Sequence, residues 1–314
     1  MKLRVAISSR LTFSRFFLFF VFLLLFFLIR SNFLKTQNPE IKKYTFVVYE
    51  KQIQVAKDKW VTMWTYNGQV PGPTIRATVG QTIQVTLINK TDKSHTIHSH
   101  GFDFAHKDDG SMVSPESVVP PGGSYTYTFK AKRAGFFYYH CHSEDQQPVS
   151  VHTQMGLYGA VIIDDPAHPL PKADKEEVVF FGEVYDSPEL IQAHGCVYCT
   201  FTDKHFTIDA RTYPLTKEYH PIKAKVGQRI RFYVVNIGND IHSFHLHRQP
   251  IFQVTRDENG NPKQTYVEGQ TVSLVPGVAA TIDAVMEEPG VWLFHCHVVP
   301  HADLGMVSEI VVEP

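Results

Sequence analysis

The sequence predicts an all-β fold of two tandem Greek-key sandwich domains, and three observations support this prediction. Short segments that alternate apolar and polar residues recur from Tyr44 onward, among them TFVVYEKQIQV, TIQVTLIN and RIRFYVVN. Glycine and proline separate these segments, and no window has the periodicity of an amphipathic helix. The two halves also carry the same motifs in the same order. These features are typical of an antiparallel β-sandwich that has been duplicated.

Composition bounds the class of protein. The chain has 314 residues, of which 43% are hydrophobic and 19% charged, and this length predicts about two domains. Four cysteines are too few for a disulfide-dense scaffold, and a net charge of −1 gives no signal for nucleic-acid binding. The unusual feature is the content of 17 histidines.

The first element is hydrophobic. Phe16 to Ile29 is a run of 14 apolar residues preceded by basic residues, which is typical of an export signal with its N-terminus inside. No small-x-small cleavage site follows, so we expect residues 1–38 to be an uncleaved membrane anchor and stalk. A cleaved signal peptide, giving a secreted protein, is the alternative. Either way we expect the protein to work outside the cytoplasm, in the periplasm or at the cell surface.

The repeat defines the predicted domains. Val79-Gly80-Gln81 recurs as Val226-Gly227-Gln228, and a proline-rich segment interrupts the strands between the two halves. We therefore predict one domain over 39–165, a linker over 166–176 and a second domain over 177–314.

Most of the histidines belong to a duplicated pattern. Each half has one H-x-x-H-x-H segment, then H-C-H, then a further histidine. In the first half the residues are His95, His98, His100, His140, Cys141, His142 and His152; in the second they are His242, His245, His247, His295, Cys296, His297 and His301.

Strand geometry sorts these residues into two kinds of group. Side chains alternate faces along a strand, so His295 and His297 share one face while Cys296 faces the other way. Each half therefore offers four imidazoles and, separately, two imidazoles with a thiolate. The second set is typical of a blue-copper centre, which favours copper over zinc for the adjoining imidazoles as well. A single H-x-H pair would ordinarily be a surface pair, but four pairs with cysteine inside two of them predict metal sites.

The weak axial ligand of each blue-copper centre is also predicted. Met306 follows His301 by five residues and supplies a thioether. Leu157 stands at the same distance after His152 and cannot coordinate a metal, while Met155 aligns with Leu304. A centre without the thioether is expected to have the higher reduction potential.

These motifs resemble multicopper oxidases, and in particular the small two-domain laccases built from cupredoxin domains. The resemblance runs from Tyr44 to Pro314 and is most specific in H-C-H-x3-H-x3-G-M, at His295 to Met306. It implies type 1 copper at the thiolate groups and a trinuclear type 2 and type 3 cluster that reduces dioxygen to water. Cys141 departs from the commoner small laccases, so the chain is similar to a form that keeps type 1 ligands in both domains.

Site assignments follow from the resemblance. It implies that His98 and His245 hold the type 2 copper. It implies that the type 3 pair is held by His100, His140, His142, His247, His295 and His297. Because each half supplies four of the eight cluster ligands and the halves of two-domain members meet between neighbouring chains, it also implies a homotrimer.

Two acidic residues and one cysteine pair have weaker signals. Asp103 and Asp109 follow the first H-x-H, where a carboxylate would orient ligands or deliver protons to oxygen, or would belong to a solvated acidic loop. Cys196 and Cys199 form C-x-x-C, for which a disulfide and an auxiliary metal site both stay open.

Two other functions compete with an oxygen-reducing oxidase. A copper nitrite reductase also trimerises and has two such domains, but it needs one blue centre and a lone type 2 copper. A non-catalytic copper-binding or electron-transfer protein would not need the eight cluster histidines. The reducing substrate is open between a phenol, an aromatic amine, a metal ion and an electron-donor protein.

Overall fold

The computed structural model describes residues 41–56, 59–185, 204–208 and 221–314. In these residues the predicted all-β class is confirmed. None of their helices has the length and apolar character needed to cross a membrane. The predicted anchor at 1–38 lies outside the described residues.

The first half of the described chain, called domain 1 below, is a sandwich of two sheets. Its strands are β1 (Lys42–Ala56), β2 (Lys59–Tyr66), β3 (Gly72–Thr78), β4 (Thr82–Asn89), β5 (His98–Ser99), β6 (Phe102–Phe104), β7 (Ser124–Ala131), β8 (Gly135–His140) and β9 (Tyr158–Asp164). One sheet has the order β2-β1-β4-β7-β6 and the other β3-β9-β8-β5. A short helix, α1 (Val149–Gln154), lies between β8 and β9, and single 3₁₀ turns span His106–Asp108 and Pro115–Ser117.

Domain 2 repeats this plan with extra edge strands. Its strands are β10 (Lys175–Tyr185), β11 (Lys204–Ile208), β12 (Ile222–Lys225), β13 (Arg229–Asn236), β14 (His242–Leu246), β15 (Ile251–Arg256), β16 (Pro262–Tyr266), β17 (Thr271–Leu274), β18 (Ala279–Val285), β19 (Gly290–Cys296) and β20 (Val307–Glu313). The sheet orders are β11-β10-β13-β18-β15-β16 and β12-β20-β19-β14-β17. A short helix, α2 (Val299–Asp303), joins β19 to β20, and a 3₁₀ turn spans Glu268–Gln270.

Alternation along the strands builds each core. In β4, Ile83, Val85 and Leu87 are fully buried while the residues between them are partly exposed. They pack between the two sheets of domain 1 against residues such as Ile75 and Val161. Each buried aliphatic side chain contributes roughly 1.5–3 kcal/mol, and the period of two fixes which face is buried.

The repeated Val-Gly-Gln motif makes the same turn in both domains. Gly80 has a φ of 89° and Gly227 a φ of 85°, a left-handed conformation in which a side chain is strained. The N–H of Gly80 donates to the carbonyl of Ala131 at 2.7 Å, and the N–H of Gly227 donates to the carbonyl of Met286 at 2.7 Å. The turn therefore sets the same strand register in each repeat.

Aromatic residues join the two domains. Phe136 packs on Tyr233 with ring centroids 5.2 Å apart, and Tyr158 packs on Phe180 at 5.1 Å. These residues belong to a third apolar cluster, which draws on strands of both domains. This cluster fixes the position of β10.

Candidate metal centres

Each domain aligns an H-x-H strand with an H-C-H strand. Pairing of β5 with β8 sets His98 opposite His140, and pairing of β14 with β19 sets His245 opposite His295. Because side chains alternate, this register collects imidazoles on one face and sends the cysteine to the other. The two groups predicted from the sequence therefore lie on opposite faces of one strand pair.

The domain 1 thiolate centre consists of His95, Cys141 and His152. The Sγ of Cys141 lies 3.8 Å from Nδ1 of His95 and 3.5 Å from Nδ1 of His152, and the two Nδ1 atoms are 3.3 Å apart. All three residues are fully buried. Trp64 packs against both rings, with centroids 5.3 Å and 5.0 Å away.

The domain 2 thiolate centre consists of His242, Cys296 and His301 and has nearly the same dimensions. The Sγ of Cys296 lies 3.8 Å from Nδ1 of His242 and 3.6 Å from Nδ1 of His301, with the two nitrogens 3.1 Å apart. A trigonal set of two imidazoles and one thiolate is the arrangement of blue-copper sites.

The third ligand of each thiolate centre comes from a short helix. His152 lies in α1, and His301 lies in α2. Helices of six and five residues are too short to show a periodic pattern, so they could not be predicted from the sequence. Each helix brings its histidine back to the cysteine, which ends β19 in domain 2 and directly follows β8 in domain 1.

The residues at the predicted axial position occupy equivalent places. The N–H of Cys141 donates to the carbonyl of Leu157 at 2.9 Å, and the N–H of Cys296 donates to the carbonyl of Met306 at 3.1 Å. Leu157 and Met306 are both fully buried. The backbone contacts therefore agree with the sequence alignment, in which Leu157 of domain 1 corresponds to Met306 of domain 2.

The four-imidazole group of domain 1 consists of His98, His100, His140 and His142. Nε2 of His100 lies 3.4 Å from Nε2 of His140, and the ring of His98 is 5.3 Å from that of His142. The group in domain 2 consists of His245, His247, His295 and His297. Nε2 of His247 lies 3.0 Å from Nε2 of His295, and the rings of His245 and His297 are 4.8 Å apart.

Backbone acceptors orient these imidazoles. Nδ1 of His98 lies 2.7 Å from the carbonyl oxygen of Asp109, and Nδ1 of His245 lies 2.9 Å from that of Gln270. Nδ1 of His140 and of His295 bond to the carbonyl of the following cysteine, at 3.0 Å and 2.8 Å. A carbonyl only accepts, so each of these Nδ1 atoms carries the proton and Nε2 is left as the metal-binding atom. The thiolate centres use the opposite nitrogen, Nδ1.

Burial favours the neutral form of four domain 1 imidazoles, which is the form that binds metals. Removal from water, reinforced by neighbouring imidazoles, lowers the pKa of His95 to about 3 and that of His100 to about 4. Burial likewise lowers the pKa of His140 to about 3 and that of His152 to about 4. Nδ1 of His142 is buried with no hydrogen-bond partner among the described residues.

The thiols of Cys141 and Cys296 differ in pKa. Burial raises the pKa of Cys141 to about 11. At Cys296 burial also acts upward, but hydrogen bonding to His242 and His301 outweighs it and lowers the pKa to about 6. Burial disfavours the charged form of His242, yet contacts with Cys296 and Glu183 raise its pKa to about 9.

Glu183 is a site residue that sequence reasoning missed. Its carboxylate Oε1 lies 2.9 Å from Nε2 of His242, and both side chains are fully buried. The two residues are 59 positions apart, and no motif marks Glu183 in the sequence. The repeat offers no signal either, because the equivalent strand position in domain 1 is the exposed Glu50.

The two predicted acidic residues lie in different surroundings. Asp109 Oδ1 is 3.7 Å from Nδ1 of His98, so this carboxylate lies beside the domain 1 imidazole group. Asp103 instead pairs with Lys132 at a surface cleft that Lys107 and Lys130 also line. No hydrogen bond or ion pair joins Asp103 to an imidazole among the described residues. Cys196 and Cys199 lie outside the described residues.

The donor sets fit copper. Two imidazoles and a thiolate in a dry pocket suit a blue-copper centre, and Met306 would add a thioether donor in domain 2. Imidazole-only groups suit copper equally well, and the partnerless Nδ1 of His142 leaves a buried polar atom that a ligand interaction would satisfy. Every predicted histidine and cysteine ligand falls into one of the four groups; that they bind metal stays a prediction.

Comparisons with known proteins agree with this chemistry. Family models described as multicopper oxidase match residues 47–168 and 188–314. A copper-containing nitrite reductase of Neisseria meningitidis is 28% identical over 312 residues, covering 88% of this chain and 73% of that protein.

Two solved structures are similar over 87% of this chain. The blue copper oxidase from Nitrosomonas europaea has a TM-score of 0.72 and 27% identity, with 86% of its chain covered. The copper nitrite reductase from Nitrosomonas europaea has a TM-score of 0.74 and 27% identity, with 94% of its chain covered.

Both halves of the chain match the same family of domains, and both present the ligand types that copper proteins use. The proteins of similar fold include oxidases and nitrite reductases, so the fold by itself does not choose the electron acceptor. The chain therefore belongs to the multicopper oxidase family, as an oxidoreductase with copper sites and the two-domain architecture of the small laccases.

Proposed function

We propose that this protein is a laccase-like oxidase that takes single electrons from a reducing substrate and reduces dioxygen to water. The observation that carries the proposal is the group of four imidazoles beside the thiolate centre in both domains. The two groups together supply eight imidazoles, the number that the family's trinuclear cluster uses. A lone type 2 copper would leave most of them without a role.

The division of work among the residues follows the family resemblance. His98 and His245 would hold a type 2 copper, and the other six imidazoles a type 3 pair. Copper bound at these sites would accept electrons one at a time at the thiolate centres and deliver four electrons to dioxygen at the cluster. Because the carbonyl of Cys296 accepts a hydrogen bond from Nδ1 of His295, the thiolate ligand and an imidazole ligand are joined by one peptide unit and one hydrogen bond.

Asp109 is proposed to serve proton delivery. Its backbone carbonyl fixes the ring of His98, while its carboxylate lies 3.7 Å from the same ring and accepts a hydrogen bond from the Ser111 hydroxyl. From this position the carboxylate would exchange protons near the cluster. Asp103 has no such geometry, since it is paired with Lys132 at the surface.

A homotrimer is proposed as the functional assembly. The imidazoles of both groups are half-buried in the single chain, except His297, which is exposed, so each group keeps an open side toward a neighbouring chain. A head-to-tail contact that closes into a ring would bring domain 1 of one chain to domain 2 of the next and complete three clusters. Light scattering combined with gel filtration tests the assembly, and a stable monomer with full oxidase activity would contradict it.

We place the protein outside the cytoplasm, held to the membrane by residues 1–38. The proposal rests on the basic and hydrophobic sequence of that segment. Fractionation of the native host, with and without residues 1–38, tests both the compartment and the anchor.

Copper-dependent nitrite reduction is the second candidate, because several relatives carry that name. The two functions predict different metal contents: about five coppers per chain for the oxidase and about two for a nitrite reductase or an electron-transfer protein. Metal analysis and an electron paramagnetic resonance spectrum separate them. Oxygen uptake and nitrite consumption are then measured with a phenol, an aromatic amine, ferrous ion and cuprous ion as donors.

His142→Gln is the sharpest variant, because a lone type 2 copper does not need this imidazole. For the oxidase, we expect the variant to keep its blue absorbance and lose oxygen reduction. His168→Gln, at a partly exposed histidine paired with Asp165, is the matched control and should behave as wild type. Full oxygen uptake in His142→Gln, or nitrite consumption without oxygen uptake in the wild type, would overturn the proposal.

A further inference from the structure

The two thiolate centres differ in what holds their first histidine. In domain 2, Nε2 of His242 faces the carboxylate of Glu183 at 2.9 Å. The carboxylate is itself fixed: Oε2 accepts from the N–H of Asn239 at 2.9 Å, and Oε1 accepts from the N–H of Asp240 at 3.1 Å. Neither the Glu183 nor the His242 side chain is exposed to water. A charged acceptor therefore stands behind this ligand in a dry site.

In domain 1 the first histidine of the thiolate centre has a neutral hydrogen-bond partner. Nε2 of His95 lies 2.8 Å from the hydroxyl of Thr91. The strand residue equivalent to Glu183 is Glu50, as the pairing of β1 with β4 and of β10 with β13 shows. Glu50 is exposed and accepts a hydrogen bond from Nε1 of Trp64 at 3.1 Å instead of approaching His95. Both domains thus have a glutamate at this strand position, but only Glu183 of domain 2 contacts a predicted ligand.

We propose that Glu183 is a positioning residue that makes the two copper centres unequal, by lowering the reduction potential of the domain 2 centre relative to that of domain 1. The inference deepens the proposed function and rests on copper binding at the thiolate centres, not on the choice of electron acceptor.

Two physical effects of the carboxylate act in the same direction. An anionic acceptor on Nε2–H fixes Nδ1 toward the metal and makes the imidazole a stronger donor. A negative charge in a site of low dielectric also favours the more positive, oxidised ion over the reduced ion. A threonine hydroxyl carries no charge and does not strengthen the imidazole as a donor to the same extent. The oxidised ion is therefore stabilised much less in the domain 1 centre.

The axial position adds to this difference. Met306 in domain 2 supplies a thioether that stabilises the oxidised ion, and Leu157 in domain 1 supplies none. Both the axial residue and the carboxylate thus place the domain 1 centre at the higher potential. That centre becomes the stronger oxidant of the reducing substrate, and electrons held at the domain 2 centre are the more strongly reducing.

The test isolates the domain 2 centre. In holoprotein carrying Cys141→Ser, the blue band reports domain 2 alone, and its midpoint potential is measured by spectroelectrochemistry with and without Glu183→Gln. Glu183→Gln keeps an oxygen acceptor but removes the negative charge. Mutation of a ligand's outer-shell partner changes metal affinity by about tenfold or more, and if that change falls on the oxidised ion the potential rises by about 59 mV. Absence of a blue band in the Cys141→Ser parent would instead count against the proposed function.

A reciprocal pair covers the case in which Glu183→Gln does not fold. In holoprotein carrying Cys296→Ser, Thr91→Asp introduces a carboxylate behind His95, and Thr91→Asn is its neutral control. We expect the potential of the domain 1 centre to fall by a similar amount with Asp and to stay unchanged with Asn. Glu50→Gln in the Cys141→Ser protein should leave the domain 2 potential unchanged. If Glu183 had a purely structural role, Glu183→Gln would lower the unfolding temperature without moving any potential. An unchanged domain 2 potential in Glu183→Gln overturns the inference. Where Glu183→Gln does not fold, an unchanged domain 1 potential in Thr91→Asp overturns it.

Discussion

Exchange of the axial residues should shift the potentials of the two copper centres in opposite directions. Leu157→Met adds a thioether to domain 1, and Met306→Leu removes one from domain 2. The donor is expected to reach the metal in domain 1, because Leu157 and Met306 accept equivalent hydrogen bonds from the cysteine N–H groups, at 2.9 Å and 3.1 Å. The new side chain therefore starts from the same backbone position as the natural thioether.

The expected change in unfolding free energy and the expected shift in reduction potential can be measured separately. Both residues are fully buried, and a leucine–methionine exchange conserves volume, so each should cost less than about 1.5 kcal/mol of unfolding free energy. A donor that favours the oxidised ion about tenfold corresponds to about 1.4 kcal/mol, or about 59 mV for one electron. We therefore expect Leu157→Met to lower the domain 1 potential by about 59 mV and Met306→Leu to raise that of domain 2 equally.

The assay is redox titration of the blue band, with Cys296→Ser or Cys141→Ser used to isolate one centre. Urea unfolding of the copper-free variants controls for packing damage. Potentials that do not move, or that move in the same direction in both domains, would refute the assignment of Leu157 and Met306 to equivalent axial positions.

Three further results are expected. Asp109→Asn keeps the backbone carbonyl that fixes His98 but removes the ionisable group; steady-state oxygen uptake should fall by about 100-fold or more while the blue band stays intact, and unchanged uptake would exclude the proton role. Asp283→Asn leaves the buried guanidinium of Arg231 uncompensated and should cost about 3–5 kcal/mol in urea unfolding, against about 0–1 kcal/mol for Glu288→Gln in an exposed pair; equal losses would contradict the burial argument. The copper-free protein should lose stability as pH falls from about 6.5 toward about 3, because the buried domain 1 imidazoles have lowered pKa values and the unfolded chain binds more protons in that range; denaturant midpoints that stay constant across this range would count against it.

Much of the site could be predicted because its spacing is local. A period of two along a strand separates Cys296 from His295 and His297, whatever the rest of the chain does. The register of β14 with β19 then followed from which face is buried, and it sets His245 opposite His295. Loss of the thioether in domain 1 was equally visible, since Leu157 follows His152 at the distance that separates Met306 from His301.

Asp103 and Glu183 show where this reasoning ended. Both residues are carboxylates. Asp103 pairs with the surface residue Lys132, whereas Glu183 is fully buried against the predicted ligand His242. Burial of Glu183 depends on β10 pairing with β13 and on the amides of Asn239 and Asp240. None of these contacts has a periodic signature in the sequence.

The all-β class, the duplication, the two kinds of ligand group and the unequal axial residues could all be predicted from the sequence, because each depends on spacing within one strand or loop. The nitrogen of each imidazole that is left for a metal depends on the fold, because it is set by the carbonyl, hydroxyl or carboxylate behind the ring. At His242 that partner lies 59 residues away. Contacts over such distances are set by how the sheets pack, and they make two centres with the same motif chemically different.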